Sequence, residues 1–262
     1  MIRVGIGGWN YEPWRGLFYP RKLPKTKELS HASRRVTSIE VNGTFYSTFT
    51  SSTFRRWAEE TPDDFIFSLK APRYIVNRRI LGGAGPSIEK FLDSGVVELK
   101  TKLGPILWQL APTNKYDPDD IAAFLELLPK KIDGLKLRHA LEVRNESFRS
   151  AHFIAQVRKA EVAVVLADSQ KYPMIADLSS NFVYARLQDA KADVETGYST
   201  KAIKTWATLA RAWEAGEEPE QIPLAAPKGK PLKSRDVFIY FINGAKERAP
   251  AAAEALIKHL KK

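Results

Sequence analysis

Short runs of apolar and β-branched residues recur along the chain, separated by longer stretches in which apolar positions fall three and four apart. The first pattern is that of strands buried on both faces, and the second that of amphipathic helices laid over them. Eight runs read as strands: Ile2–Gly7, Val36–Asn42, Phe65–Lys70, Ile106–Leu110, Ala140–Arg144, Val162–Asp168, Phe182–Leu187 and Val237–Asn243. Helices are expected over Thr26–Ser33, Thr53–Glu60, Ser87–Lys102, Pro118–Leu128, Ser150–Ala160, Thr200–Glu214 and Pro250–Leu260. Some starts are well marked. Asp117 stands before Pro118 and two further acids, so a side-chain cap, a proline at the first helical position and favourable dipole charge coincide. Ser199 or Thr200 can cap the Trp206 helix in the same way. After Asp168 the helical signal fails, because Pro173 and the Ser179-Ser180-Asn181 cluster interrupt it, and a short helix or none is expected there.

Strands that alternate with helices must pair in parallel through right-handed crossovers. Eight such units close into a ring more readily than they stack as an open sheet, and a length of 262 residues suits one such unit. The expected fold is therefore α/β, a parallel (β/α)8 TIM barrel forming a single domain over residues 1–262. No strand is followed by G-x-G-x-x-G or a P-loop, so the sequence reason for a dinucleotide or nucleotide-hydrolase fold is missing. The Pro- and Lys-rich stretch from Gly216 to Arg235 lacks periodicity and reads as a flexible loop. Joining a helix to the next strand, it should emerge at the bottom of the barrel.

In a parallel barrel, chemistry gathers where strands end, because the following loops enclose that face. The eight strand ends carry Trp9 and Asn10, Glu40 and Asn42, Lys70, Gln109, Glu142 and Arg144, Asp168, Arg186, and Asn243. Several of these charges sit inside apolar sequence, as in Leu-Glu-Val-Arg and Tyr-Ala-Arg-Leu. A buried charge costs several kcal/mol unless it is paired, so such residues must meet one another or a ligand. Residues two apart on a strand share a face, which joins Glu40 to Asn42 and Glu142 to Arg144. The expected mouth holds three carboxylates (Glu40, Glu142, Asp168) as candidate acid/base groups. Its expected binding residues are Trp9, Asn42, Tyr46, Lys70, Gln109, Arg144, Arg186 and Asn243. A magnesium or manganese ion could use three acids, but no histidine accompanies them, and no metal or other cofactor is assigned. The aromatic residues after the first two strands, Trp9 to Tyr19 with Phe45 and Tyr46, either stack on a ligand or close the first loop onto the barrel.

Composition narrows the classes further. The chain has no cysteine, which excludes disulfides, thiolate nucleophiles and thiolate metal sites. The opening MIRVGIGGWNYEPW has no long apolar segment and no apolar stretch long enough to span a bilayer follows, so a cytoplasmic protein without membrane contact is expected. The formal charge is +11, with its surplus toward both ends of the chain. In a closed barrel those ends adjoin, giving a basic sector that would attract anions or nucleic acid. A generally basic, solvated surface is the plainer reading of the same charge.

The quoted residues bring a family into view. Gly7-Gly8-Trp9-Asn10-Tyr11, Trp14-Arg15-Gly16 and Phe18-Tyr19-Pro20 resemble the opening of DUF72 (YecE-like) proteins. Glu40-Val41-Asn42-Gly43-Thr44-Phe45-Tyr46 is similar to that family's second motif, and Trp57, Lys70, Gln109, Glu142-Val143-Arg144, Asp168, Tyr184 to Leu187 and Gly197-Tyr198-Ser199 follow in order. The resemblance covers nearly the whole chain. It implies a TIM barrel whose mouth contains Glu40, Asn42, Tyr46, Lys70, Gln109, Glu142, Arg144, Asp168 and Arg186, and no assigned reaction. The chain also departs from the pattern: Arg144-Asn145 stands where relatives tend to carry Arg-His, and Gln188-Asp189 where they tend to carry His-Gly. Both histidines of the family's mouth are thereby lost.

Three functions remain in view from the sequence. The first is an enzyme acting on a polar, anionic small molecule, such as a phosphorylated sugar or nucleotide fragment, by acid/base chemistry. The second is a nucleic-acid-binding or nucleic-acid-processing protein using its basic surface, and the third a ligand-binding barrel without catalysis. The oligomeric state is not legible.

Overall fold

The computed structural model describes residues 1–219 and 222–261, so that Glu220 and Gln221 of the expected loop lie outside the described residues. Eight parallel strands close into a barrel: β1 (Ile2–Gly7), β2 (Ser38–Val41), β3 (Ile66–Lys70), β4 (Leu103–Gln109), β5 (His139–Glu142), β6 (Ala163–Asp168), β7 (Phe182–Leu187) and β8 (Asp236–Phe241). Each pairs with its sequence neighbour, and β8 returns to β1 with Val4 opposite Ile239 and Ile6 opposite Phe241. A small antiparallel hairpin, Lys131–Ile132 with Leu135–Lys136, precedes β5. Helices Ser51–Glu60, Gly85–Leu92, Pro118–Glu126, Ala151–Ala160, Thr200–Glu214 and Ala249–Leu260 cover the outside.

The caps behave as their side chains dictate. The Asp117 carboxylate accepts from the backbone N–H groups of Asp119 and Asp120, Ser150 from that of Phe153, and Ser199 from that of Ala202. No helix forms between β6 and β7, as the proline and polar cluster in that segment require. One expected helix, Ser87–Lys102, is broken. It stops at Leu92 and resumes as a 3-10 segment, Val96–Lys102, after Gly95 turns at φ 106°. A β-carbon on Gly95 would lie 2.2 Å from the Ser51 hydroxyl oxygen, so glycine there permits both the left-handed turn and the close approach of the Ser51–Glu60 helix.

Alternation along the strands sorts the apolar residues into two bodies. Leu107, Ala140, Ala163, Val165, Phe182, Tyr184, Phe238 and Tyr240 fill the interior, while Ile6, Ile39, Phe67, Leu69, Leu141, Val164 and Leu166 pack under the helices. Interior room is tight: a β-carbon on Gly5 would sit 2.2 Å from the Ser38 carbonyl oxygen and 3.0 Å from the Tyr240 ring. The lower end is closed by Arg138, whose guanidinium lies 5.0 Å from the Phe238 ring and pairs with Asp236 at 2.7 Å. Arg3 pairs there with Asp64 at 3.3 Å.

His139 opens β5 at that same end and is buried. Trp108 Nε1 donates to its Nδ1 at 3.0 Å, which leaves Nε2 to donate to the Pro129 carbonyl at 2.8 Å. Burial lowers its pKa to about 4, partly opposed by that carbonyl, so the ring is neutral and structural. His31 packs against Phe18 and Tyr19, and His152 lies 2.9 Å from the Tyr116 hydroxyl.

Candidate functional site

On five of the eight strands the upper layer of the interior follows a simple repeat: the inward residue two positions above an apolar or hydroxyl neighbour is charged or amide-bearing. Glu40 stands above Ser38, Lys70 above Ser68, Gln109 above Leu107, Glu142 above Ala140, and Arg186 above Tyr184. All five are buried. Asn42 and Arg144 extend the same faces just past the strand ends, partly exposed.

Arg186 is the hub, with 1% of its surface exposed. Its Nε and Nη2 donate to the two oxygens of Glu40, both at 2.9 Å, and its Nη1 donates to Glu142 Oε2. Bidentate geometry of this kind is what allows a guanidinium to lie so deep. Burial works against the charge on Arg186, but the two carboxylates outweigh it and raise its pKa. Glu40 also accepts from the Tyr184 hydroxyl at 2.8 Å and from Asn42 Nδ2 at 3.1 Å. Glu142 accepts further from Gln109 Nε2 and Arg144 Nε, each at 2.8 Å. Burial alone would raise the Glu142 pKa. Arg186, Arg144 and Gln109 override it and hold the group at about 2.

Below this layer lie two hydroxyl pairs. Ser68 Oγ is 2.7 Å from the Tyr184 oxygen and Ser38 Oγ is 2.7 Å from that of Tyr240, while the two tyrosine rings lie 5.0 Å apart. Ser38 also donates to the Ile66 carbonyl at 2.8 Å. These neutral groups fix the phenol that holds Glu40.

Lys70 differs from its neighbours. Among the described residues, no carboxylate lies within 4.0 Å of its ammonium and no hydrogen bond engages it, although only 7% of the residue is exposed. Its Nζ rests 4.1 Å from the centre of the Phe45 ring. The nitrogen is not among the polar atoms sealed away without a partner, so it keeps some contact with solvent. Burial, then repulsion by Arg186, lowers its pKa to about 8 against the partial support of Glu40 and Glu142. Arg144 completes the cationic side. Its guanidinium lies 4.2 Å from the centre of the Tyr172 ring and reaches the Tyr172 hydroxyl at 3.4 Å.

The structure thus brings together Glu40, Asn42, Lys70, Gln109, Glu142, Arg144 and Arg186. It does not bring Asp168 to them. Asp168 shares the parity of Val164 and Leu166, which pack under the helices, whereas Val165 and Ala163 point inward. Its carboxylate meets Tyr198 at 3.4 Å, and burial and then Asp189 raise its pKa. Trp9 packs edge-on to Trp57 at 5.1 Å, and its carbonyl accepts from Tyr19. Trp14, Phe18 and Tyr19 are buried, so the first loop's aromatics fasten that loop to the barrel. Tyr46 is 68% exposed and lies against Phe45, and Asn243 is exposed just past β8. Tyr184 and Tyr172 join the site without having been expected there. The first was legible in principle, since it stands two residues below Arg186 on one strand. Among the described residues, no cluster of three or more His, Cys, Asp or Glu side chains could hold a metal, and no helix is long and apolar enough to cross a membrane.

Comparison with known proteins adds the following. The family model described as "Protein of unknown function DUF72" matches residues 3–262. The chain is 27% identical over 161 residues to the UPF0759 protein YunF of Bacillus subtilis (strain 168), covering 60% of this chain and 55% of that protein. It is 28% identical over 143 residues to the UPF0759 protein YecE of Escherichia coli (strain K12), covering 53% of this chain and 49% of that one. The matches thus span about half the length of these curated relatives. A solved DUF72 family protein from Thermotoga maritima MSB8 superposes with a TM-score of 0.74 at 19% identity, covering 100% of both chains, a likeness of fold.

Proposed function

As the chain belongs to the DUF72 family, we propose from its own mouth residues that it is an enzyme acting on a polar, anionic small molecule by acid/base chemistry. A phosphorylated sugar or a nucleotide fragment has the required character. One observation carries this reading: three buried or half-buried cations, Lys70, Arg144 and Arg186, face only two carboxylates, and Lys70 has none to itself. A surplus positive charge in a largely buried setting is the electrostatic complement of an anion.

The roles follow from the bonding. Arg186 is fully used by Glu40 and Glu142 and forms the floor. Lys70 and the solvent-facing edge of Arg144 remain to hold the anion, with Asn42 and Gln109 at its side. A carboxylate held at about 2, as Glu142 is, is a weak base at neutral pH. Lys70 at about 8 exchanges a proton far more readily there, so it takes the acid/base role, and Glu40 and Glu142 supply the field around it. Asp168 lies outside this set and serves, in this reading, the neighbouring loop.

Thermal denaturation with inorganic phosphate, fructose 6-phosphate and uncharged fructose tests the proposal. Ligand bound at a hundred times its Kd stabilises by about 2.7 kcal/mol, enough to move Tm by a few degrees. The phosphate compounds should raise Tm for the native chain and fail to do so for Arg144→Leu and Lys70→Met. Equal shifts in all three proteins would place the anion elsewhere and overturn the reading.

A further inference from the structure

We propose that Lys70 is a nucleophile that forms an imine with a small aldehyde or ketone whose phosphate or carboxylate is held by Arg144. This rests on the anion-binding reading above and adds the substrate's second group, a carbonyl carbon.

Three independent features support it. Lys70 ends β3 inside the ring, with 7% of its surface exposed. An amine used structurally at such depth would be expected to pair with a carboxylate, and Glu40 and Glu142 are both at hand; yet each is turned to Arg186, and Lys70 keeps an aromatic ring instead. Finally, the guanidinium groups of Arg186 and Arg144 repel a second positive charge, the arrangement by which a lysine is kept neutral enough to attack. With a pKa of about 8 in place of 10.5, neutral amine at pH 7 is about 300-fold more abundant than for an ordinary lysine. The other groups facing it are Glu40 and Glu142, and their attraction for the ammonium limits the depression.

The chemistry balances without an oxidant or reductant. The Lys70 lone pair adds to the carbonyl carbon, a C–N bond forms, and the carbonyl π electrons move to oxygen, which takes a proton from water. Nitrogen gives up a proton, the new hydroxyl leaves as water after protonation, and the nitrogen lone pair closes the C=N bond. The net change is amine plus carbonyl plus one proton to iminium plus water. The iminium then withdraws electrons from the adjacent C–H or C–C bond, and Glu40 and Glu142 lie near as counter-charge.

The test uses the full chain with pyruvate, dihydroxyacetone phosphate or uncharged dihydroxyacetone, each with cyanoborohydride at pH 7, followed by peptide mapping. Lys70 should be labelled at least tenfold above any surface lysine, with dihydroxyacetone phosphate or pyruvate favoured over dihydroxyacetone; whichever anion leads identifies the group that Arg144 holds. Arg144→Leu should abolish that preference, and Lys70→Met and Lys70→Arg should lose the label. Competitive acetylation of the native chain across pH 6–11 needs no variant to fold, and should give Lys70 a midpoint well below its surface counterparts. Labelling spread evenly over surface lysines, or an ordinary midpoint for Lys70, overturns the imine. If phosphate still raises Tm in that case, the anion-binding reading stands without it; if neither label nor Tm shift appears, both fall; label without a Tm shift keeps the imine and removes Arg144 as anion holder.

Discussion

The two ends of the barrel solve the same problem in opposite ways. At the lower end Arg138 pairs with Asp236, which also meets the N-terminal ammonium at 3.2 Å, and Arg3 pairs with Asp64, while the aromatic rings of Phe182 and Phe238 lie against Arg138. At the upper end three cations share two acids, both committed to Arg186, and Lys70 is left with the face of a phenyl ring. Between them, Ser38 pairs with Tyr240 and Ser68 with Tyr184, whose hydroxyl also reaches up to Glu40. A closed set of pairs stabilises a fold and does little else. An unmatched set carries a standing electrostatic cost that a bound anion or loss of the Lys70 proton would remove, and the proposed function rests on that difference.

Removing Glu40 should break that contrast most severely. Arg186 would keep one oxygen of Glu142 and lose its bidentate partner, while Tyr184 would lose its acceptor. Leaving such a charge buried costs about 3–5 kcal/mol, so Glu40→Ala should lower the unfolding free energy from urea denaturation by that amount or fail to fold. The matched lower pair offers the control. Asp236 is partly exposed, so Asp236→Ala should cost about 1 kcal/mol or less, since its arginine can turn to water.

Acid should separate the ends by pH. His139 is held neutral at about 4 against an ordinary 6.5. The unfolded chain therefore takes up this proton first as pH falls, and His139's contribution, complete above 6.5, declines until about 4, by about 3 kcal/mol in all. Glu142, held at about 2, has its contribution intact above its ordinary 4.5 and loses it only as pH drops toward 2. Urea denaturation from pH 7 to 4 should show the first loss, and His139→Gln should flatten it. Glutamine can accept from Trp108 and donate to the Pro129 carbonyl without taking up a proton. An unchanged slope in that variant would assign the loss elsewhere.

Lys70 offers a smaller effect of opposite sign. Its pKa is depressed on folding, so the cost of burying its charge is full below about 8 and vanishes above its ordinary 10.5. Lys70→Met should therefore stabilise the protein at pH 7, by about 1–3 kcal/mol, and the gain should shrink by pH 10. A destabilised Lys70→Met at pH 7 would mean that the ammonium is held by partners and is not available to a ligand.

Much of this was legible in the sequence, for reasons that particular residues make plain. The runs Ile2–Gly7 and Phe182–Leu187 are strands to the residue, because strongly apolar alternation is cut at both ends by residues that leave the sheet. The site residues Glu40, Lys70, Glu142 and Arg186 were legible because charge embedded in apolar sequence has so few places to go. Tyr184 is harder to read because an aromatic in a strand resembles core, and only its place two residues before Arg186 links it to the mouth. The break at Gly95 depends on Ser51, distant in sequence and near in space, which no local pattern reports. Trp9, a candidate ligand contact, stands partly exposed with its ring edge-on to Trp57 and its carbonyl accepting from Tyr19, a long-range packing that no local pattern reports.

Asp168 shows why a strand end alone is a weak sign, and it gives the smallest effect. Its run, Ala-Val-Val-Leu-Ala-Asp, is apolar on both faces, so the sequence does not say which parity points inward. The structure assigns Val165 to the interior and thereby turns Asp168 to the outer side, toward Tyr198 and Asp189. Burial and the neighbouring acid already disfavour its charge. Asp168→Asn removes that charge while keeping an acceptor for the Tyr198 hydroxyl, so stability at pH 7 should change by no more than about 0.5 kcal/mol, with any change a gain. In the phosphate titration the variant should match the native chain, because the atoms that hold the anion are untouched. A tenfold loss of phosphate affinity in Asp168→Asn would instead join this loop to the mouth and enlarge the region that the unmatched charges define.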